Sequence, residues 1–127
     1  MPGKHLYEYA VIRLVPRVER EEFLNVGIIL FSKDAKYLHC KYQINIDKLK
    51  LYSCELEEAD FEQNLSAFEK ICAGSKDGGP VAQWEIPDRF RWLTAQRSSS
   101  IQTSRPHNGF SDNLDKTLER LFVELVL

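Results

Sequence analysis

Residues 9–31 read YAVIRLVP, RVEREE, FLNVGIILF, running from Tyr9 through Arg13, Pro16 and Glu22 to Asn25, Gly27 and Phe31, and this stretch decides the fold. Two apolar runs flank a short, highly charged turn. In the first run, Ala10, Ile12 and Leu14 fall on one face of a strand, and Tyr9, Val11, Arg13 and Val15 on the other. Pro16 stops the ladder because it has no N–H to give. The second run is apolar on both faces: Leu24, Val26, Ile28 and Leu30 on one, Phe23, Ile29 and Phe31 on the other. Such a strand belongs in the middle of a sheet covered on both sides. A loop of about six residues joins the two runs, so an antiparallel hairpin is the simplest pairing.

Downstream, residues 37–42 alternate again, with Leu38, Cys40 and Tyr42 opposed to His39 and Lys41. This completes a three-strand meander. Then the period changes. Asn45 suits the cap of a short helix through Ile46 and Leu49. Asp60 and Gln63 have capping-box spacing, and Phe61, Leu65, Phe68 and Cys72 form one apolar helical stripe. Gly74 stands where a left-handed C-terminal residue belongs. The pattern predicts a strand from Val81 and another over residues 89–94, where Phe90 and Trp92 oppose Arg89, Arg91 and Leu93. Residues 97–109 read as a Ser-rich loop, broken at Pro106 and Gly109, with a brief strand at residues 101–103. Ser111 is positioned to cap a last helix whose stripe is Leu114, Leu118, Leu121, Phe122 and Leu125. The expected architecture is one α+β domain over residues 1–127: an antiparallel sheet beginning with the meander, and two main helices packed on it.

Composition agrees with that size and class. The chain has 127 residues, 43% hydrophobic and 28% charged, enough for a core under an ordinary soluble surface. Its net charge of −2 argues against a dedicated nucleic-acid binder, which carries a basic excess. No apolar run approaches the roughly 18 residues of a membrane span, and the first residues lack a signal-peptide core. The expected compartment is the cytoplasm. Cys40, Cys54 and Cys72 have neither disulfide-framework nor zinc spacing. The histidines His5, His39 and His107 are scattered, so neither a metal nor a cofactor is expected.

Two polar constellations stand out. The first is Arg13, Glu22, Asn25 and Gly27. In a hairpin Arg13 comes within a residue or two of Asn25, Glu22 can orient its guanidinium, and Gly27 lets a ligand or another backbone approach the sheet. A hydrogen-bonded structural patch fits the same residues. The second is Arg91, Trp92, Arg97, Ser100, Gln102, Arg105 and His107. Arg89, Arg91, Arg97 and Arg105 face only Glu85 and Asp88 in this region, a basic area in an acidic chain. Guanidinium forks, hydroxyls and an amide suit phosphate or carboxylate recognition, and Trp84 and Trp92 could stack a base. A Ser-rich loop beside core tryptophans is the plainer account. Ser98, Ser99 or Ser100 with His107 and Asp112 supplies the residue types of a nucleophile triad, without a nucleophile elbow or a phosphate loop.

The run from Tyr9 to Pro16, the charged turn and the run from Glu22 to Phe31 resemble the opening of a bacterial family, domain of unknown function 3037. Arg89-Phe-Arg91-Trp92-Leu-Thr, Ser98 to Ser100, Ile101-Gln102-Thr and Pro106-His107-Asn-Gly109 are similar to its second block. The family's marked positions map onto Arg13, Glu22, Asn25, Gly27, Arg91, Trp92, Ser100, Gln102 and His107. The resemblance implies no activity. It implies an accessory or regulatory role beside a HipA-like kinase, an inference by association. The expectation is therefore a non-enzymatic module that binds a protein partner. The alternative is a small binding or catalytic domain for a phosphorylated or nucleotide ligand. The last helix, with Phe122, Leu125, Val126 and Leu127, carries more apolar surface than one stripe needs, which suits either the core or a homodimer contact.

Overall fold

The computed structural model describes residues 4–16, 22–51, 58–95 and 100–127. Strand β1 (His5–Leu14) pairs antiparallel with β2 (Leu24–Ser32), and β2 pairs antiparallel with β3 (Tyr37–Tyr42), which is the meander. The other edge of β1 is shared. β4 (Ile101–Thr103) pairs with its end, Ile12 to Leu14, and β5 (His107–Ser111) with its start, His5 to Tyr9. Between them Ser104 keeps the ladder continuous, because its Oγ accepts from Val11 N at 2.9 Å and its own N–H donates to Val11 O at 2.9 Å. The sheet is thus five antiparallel strands with β1 central.

Helices cover both faces. Ala10, Ile12 and Leu14 pack with Phe61, Leu65 and Phe68 of α2 (Glu58–Ala73) and with Phe90 and Leu93 of α3 (Ile86–Leu93). Tyr7, Val11, Ile28 and Leu30 pack with Leu114, Leu121 and Phe122 of α4 (Leu114–Leu125). A short α1 (Ile46–Leu49) is capped by Asn45, whose side chain accepts from Lys48 N.

The faces of β2 differ from the simple alternation. Ile12 stands opposite Gly27, but Arg13 stands opposite Asn25, so Val26 is an extra residue at a bulge. The extra residue shifts the phase. Val26 and Leu24 join Ile29 and Phe31 against α2 and α3, while Ile28 and Leu30 face α4. Gly27 is required beside it: a Cβ there would lie 2.5 Å from Lys41 O and 2.8 Å from Tyr42 Cβ on β3. The close approach that Gly27 allows is therefore to another backbone.

Further expectations are corrected. Residues 81–83 form a 3-10 turn and residues 86–93 the helix α3, not strands. Pro87 sits in the first turn of α3, where its missing N–H costs nothing, and Ile86, Phe90 and Leu93 share one helical face. Residues 107–111 form a strand despite Gly109, which leaves room for the Tyr7 ring. The cap of α4 is Asn113, accepting from Lys116 N at 3.1 Å, while Ser111 bonds Thr117 at 2.6 Å. Likewise α2 already runs from Glu58, ahead of Asp60. Gly74 ends it at φ +70°, as expected.

Candidate functional site

The bulge sets the first constellation. Gln102, Arg13 and Asn25 stand in one row across β4, β1 and β2. Arg13 and Asn25 lie on the α4 face, near the C-terminal end of that helix. Asn25 Nδ2 donates to Leu125 O at 3.1 Å. Because that carbonyl can only accept, the contact fixes the amide orientation and turns Asn25 Oδ1 away from the helix. The Arg13 guanidinium lies over the Phe23 ring, 4.1 Å from its centroid, a cation–π arrangement. Arg13 Nε and Asn25 Oδ1 are both buried, and neither has a hydrogen-bond partner among the described residues. One is a donor and the other an acceptor. Around them Phe23 is 45% exposed, and Leu125 and Leu127 are exposed. Glu22, half-buried, leads into the strand.

The second constellation is divided by the sheet. Arg91 projects from α3 and grips Glu8 bidentately, with Nη1 donating to Oε1 at 2.9 Å and Nη2 to Oε2 at 2.7 Å. Glu8 lies on the α3 face of β1. His107 is exposed and pairs with Tyr9 across β1 and β5, on the α4 face, with ring centroids 5.3 Å apart. Arg105 is exposed, and Arg97 lies outside the described residues, as do Ser98 and Ser99. Ser100 Oγ accepts from Asn64 Nδ2 at 3.1 Å, beside a small cavity of about 230 Å³ that Trp92 also lines. A larger one, about 720 Å³, is lined by Trp84, Glu85, Asp88, Arg91 and Trp92. Its charged lining is two carboxylates and an arginine already bound to Glu8, the wrong balance for an anion.

Arg13, Asn25 and Gln102 thus come together. His107 shares the face of Arg13 but pairs with Tyr9, four residues along β1 and about 13 Å away at strand rise. Arg91 is on the other side. Ser100 bonds α2 and His107 faces α4, so these two members of the suggested triad are separated by the sheet. Among the described residues no group of three or more His, Cys, Asp or Glu is arranged to hold a metal ion. No helix among them is long and apolar enough to cross a membrane. Groups with displaced titration lie away from the row. Burial and the hydrogen bond to Asp115 push the Tyr37 phenol well above its ordinary range. Burial and the Glu69 carboxylate raise Tyr42. A hydrogen bond with Cys40, together with burial, raises Cys72.

Sequence reasoning missed Glu8 and the Leu125 carbonyl. Glu8 left a signal, since a carboxylate between two tyrosines on a central strand needs a partner. The Leu125 carbonyl left none, because helix-end carbonyls are common to all sequences.

A family model described as protein of unknown function (DUF3037) matches residues 9–126. No curated protein and no solved structure matches the chain. The matched span holds the Arg13–Asn25 row, the Arg91 helix and all of α4, nearly the whole sequence, and the chain belongs to the DUF3037 family.

Proposed function

We propose that this chain is a non-enzymatic accessory or regulatory module of the bacterial cytoplasm, and that it binds a protein partner at the Arg13–Asn25 end of α4. The observation that carries the reading is the unsatisfied pair. Buried hydrogen-bonding groups are almost always partnered, and here a donor, Arg13 Nε, and an acceptor, Asn25 Oδ1, belong to paired residues of β1 and β2 and have no partner among the described residues. A peptide group offers the matching acceptor and donor to both side chains once the exposed Phe23 and Leu125 that border them move aside. The exposed Phe23 and Leu125 side chains supply the apolar ring that excludes water around such contacts. The candidate partner is a HipA-like kinase, on the strength of the family resemblance. A second copy of the chain is the other occupant this end of α4 admits. Phe122 and Val126 pack into the core, but Leu125 and Leu127 face outward.

The reading as a site for phosphorylated or nucleotide ligands has less support. Arg91 is committed to Glu8, and His107 is on the opposite side of the sheet. Thermal unfolding with inorganic phosphate or ATP is expected to show no shift, since bound ligand would raise the apparent stability.

Co-expression with a HipA-like kinase tests the reading. A co-eluting complex is expected, weakened about tenfold or more by Arg13→Leu or Phe23→Asp, with thermal unfolding of the free chain little changed by Phe23→Asp. Sedimentation of the chain alone separates the homodimer. Separate elution without self-association, or association indifferent to both substitutions, rules the site out.

A further inference from the structure

The opposite end of the sheet carries a second surface that the Arg13–Asn25 row does not explain. Helices α2 and α3 cover the β1 face around Ala10, Ile12 and Leu14, and leave bare the part around Leu6. Leu6 and Phe110 are cross-strand neighbours there, 51% and 62% exposed. Large apolar side chains paired in the open on a sheet face mark an interaction site more often than a fold requirement. Beside them an open cup of about 790 Å³ has Leu6, Glu8, Phe31, Lys33, Asp34 and Lys36 in its wall.

The charges of this cup do not cancel. Glu8 is held by Arg91. Asp34 accepts a hydrogen bond from Ser32 Oγ at 2.7 Å and has His5 Nδ1 3.2 Å from its other oxygen. These contacts hold its carboxyl below the usual carboxylate range, the Ser32 bond first and His5 next. Lys33 and Lys36 are exposed and form no ion pair among the described residues. Lys36 also sits at φ 52°, a left-handed conformation that favours Gly or Asn over a long side chain. A lysine at a strained turn position points to a use for its charge.

We propose that this end of the sheet docks an acidic amphipathic segment of a partner protein, with apolar side chains on Leu6 and Phe110 and carboxylates on Lys33 and Lys36. The complementarity is specific in sign. Glu8 is already paired with Arg91, and Asp34 is engaged by Ser32 and His5, so the two exposed lysines outnumber the one carboxylate left without a guanidinium and can answer an incoming one. This surface is on the other face of the sheet from Arg13 and shares no residue with that row.

Display of random peptides against the whole chain tests it, using one library of Leu, Phe, Asp and Glu and another of Leu, Phe, Lys and Arg. Enrichment is expected from the acidic library only. Binding of the selected peptides, followed by fluorescence anisotropy, should fall about tenfold or more with Phe110→Ser, or with Lys33→Glu and Lys36→Glu together, and should weaken with salt. Arg13→Leu should leave it unchanged. Lys36→Gly adds a readout that misfolding cannot mimic. It should raise the Tm by relieving the backbone and weaken the peptide at the same time. Enrichment from the basic library, no enrichment, or acidic binders indifferent to Phe110→Ser and to the lysine reversals would overturn the proposal.

Discussion

At Gly27 a single methyl group is incompatible with the sheet. It would enter the space between β2 and β3, against Lys41 O and Tyr42 Cβ, neither of which can swing aside. Gly27→Ala is therefore expected to cost about 1–3 kcal/mol, the range for overpacking, measured by urea unfolding. A stability within error of wild type would mean that β3 gives way more easily than its pairing suggests. Tyr37 is a second residue with a measurable signature. Its phenol donates to Asp115 Oδ1 at 2.8 Å across the gap between β3 and α4. Burial and that carboxylate raise its titration, so the folded state holds the proton more tightly than the unfolded chain. The associated stability is complete below about pH 10, the ordinary tyrosine value, and is lost as pH rises above it. Absorbance titration should show a late-ionising phenol in the folded chain that Tyr37→Phe removes. An unchanged titration curve in that variant would disprove the assignment.

Among the elements, α3 joins the sheet to its outer layer, and the Glu8–Arg91 pair is the strap. Arg91 is 57% exposed and Glu8 22%, so solvent screens the attraction despite its bidentate geometry. A double-mutant cycle with Glu8→Gln and Arg91→Gln should return a coupling of about 0.5–1 kcal/mol, reduced by salt. A coupling of zero would make the strap ornamental to stability. This helix also shows where sequence reading stops. In residues 89–94 the alternation of Phe90 and Trp92 with arginines mimics a strand, and an element of eight residues is too short for periodicity to decide. Pro87 in the first turn was the contrary signal. Reading α3 as a strand placed Arg91 in the wrong layer, in the sheet rather than on the helix that covers it. By contrast, the Arg13–Asn25 pairing was legible, because a short hairpin loop leaves little freedom of register. The bulge at Val26 was not, since one extra residue changes no composition or pattern that a linear reading can see. β5 escaped because Gly109, read as a breaker, is there to admit the Tyr7 ring.

For the molecule as a whole, the two helix layers do not have separate foundations. Both rest on β1 and β2, whose successive residues point to opposite sides: Ile28 and Leu30 to α4, Ile29 and Phe31 to α2 and α3. A strand cannot lose its order for one layer and keep it for the other, so the layers should unfold together. The tryptophans allow this to be seen. Both, Trp84 and Trp92, belong to the α3 side, while Phe122 lies buried under α4 on the other. Phe122→Ala should cost about 3–5 kcal/mol and lower the Tm by on the order of 10 °C. The tryptophan fluorescence transition should shift by the same amount as the far-ultraviolet circular dichroism, although the substitution touches neither indole. A fluorescence transition left at the wild-type midpoint, with dichroism becoming biphasic, would show that the α2–α3 layer holds β1 and β2 without α4. In the coincident case the sheet couples its faces mechanically. A partner that tightened the Arg13–Asn25 end of α4 would then also slow opening of the strands that carry Leu6 and Phe31, and amide exchange along β1 would report it.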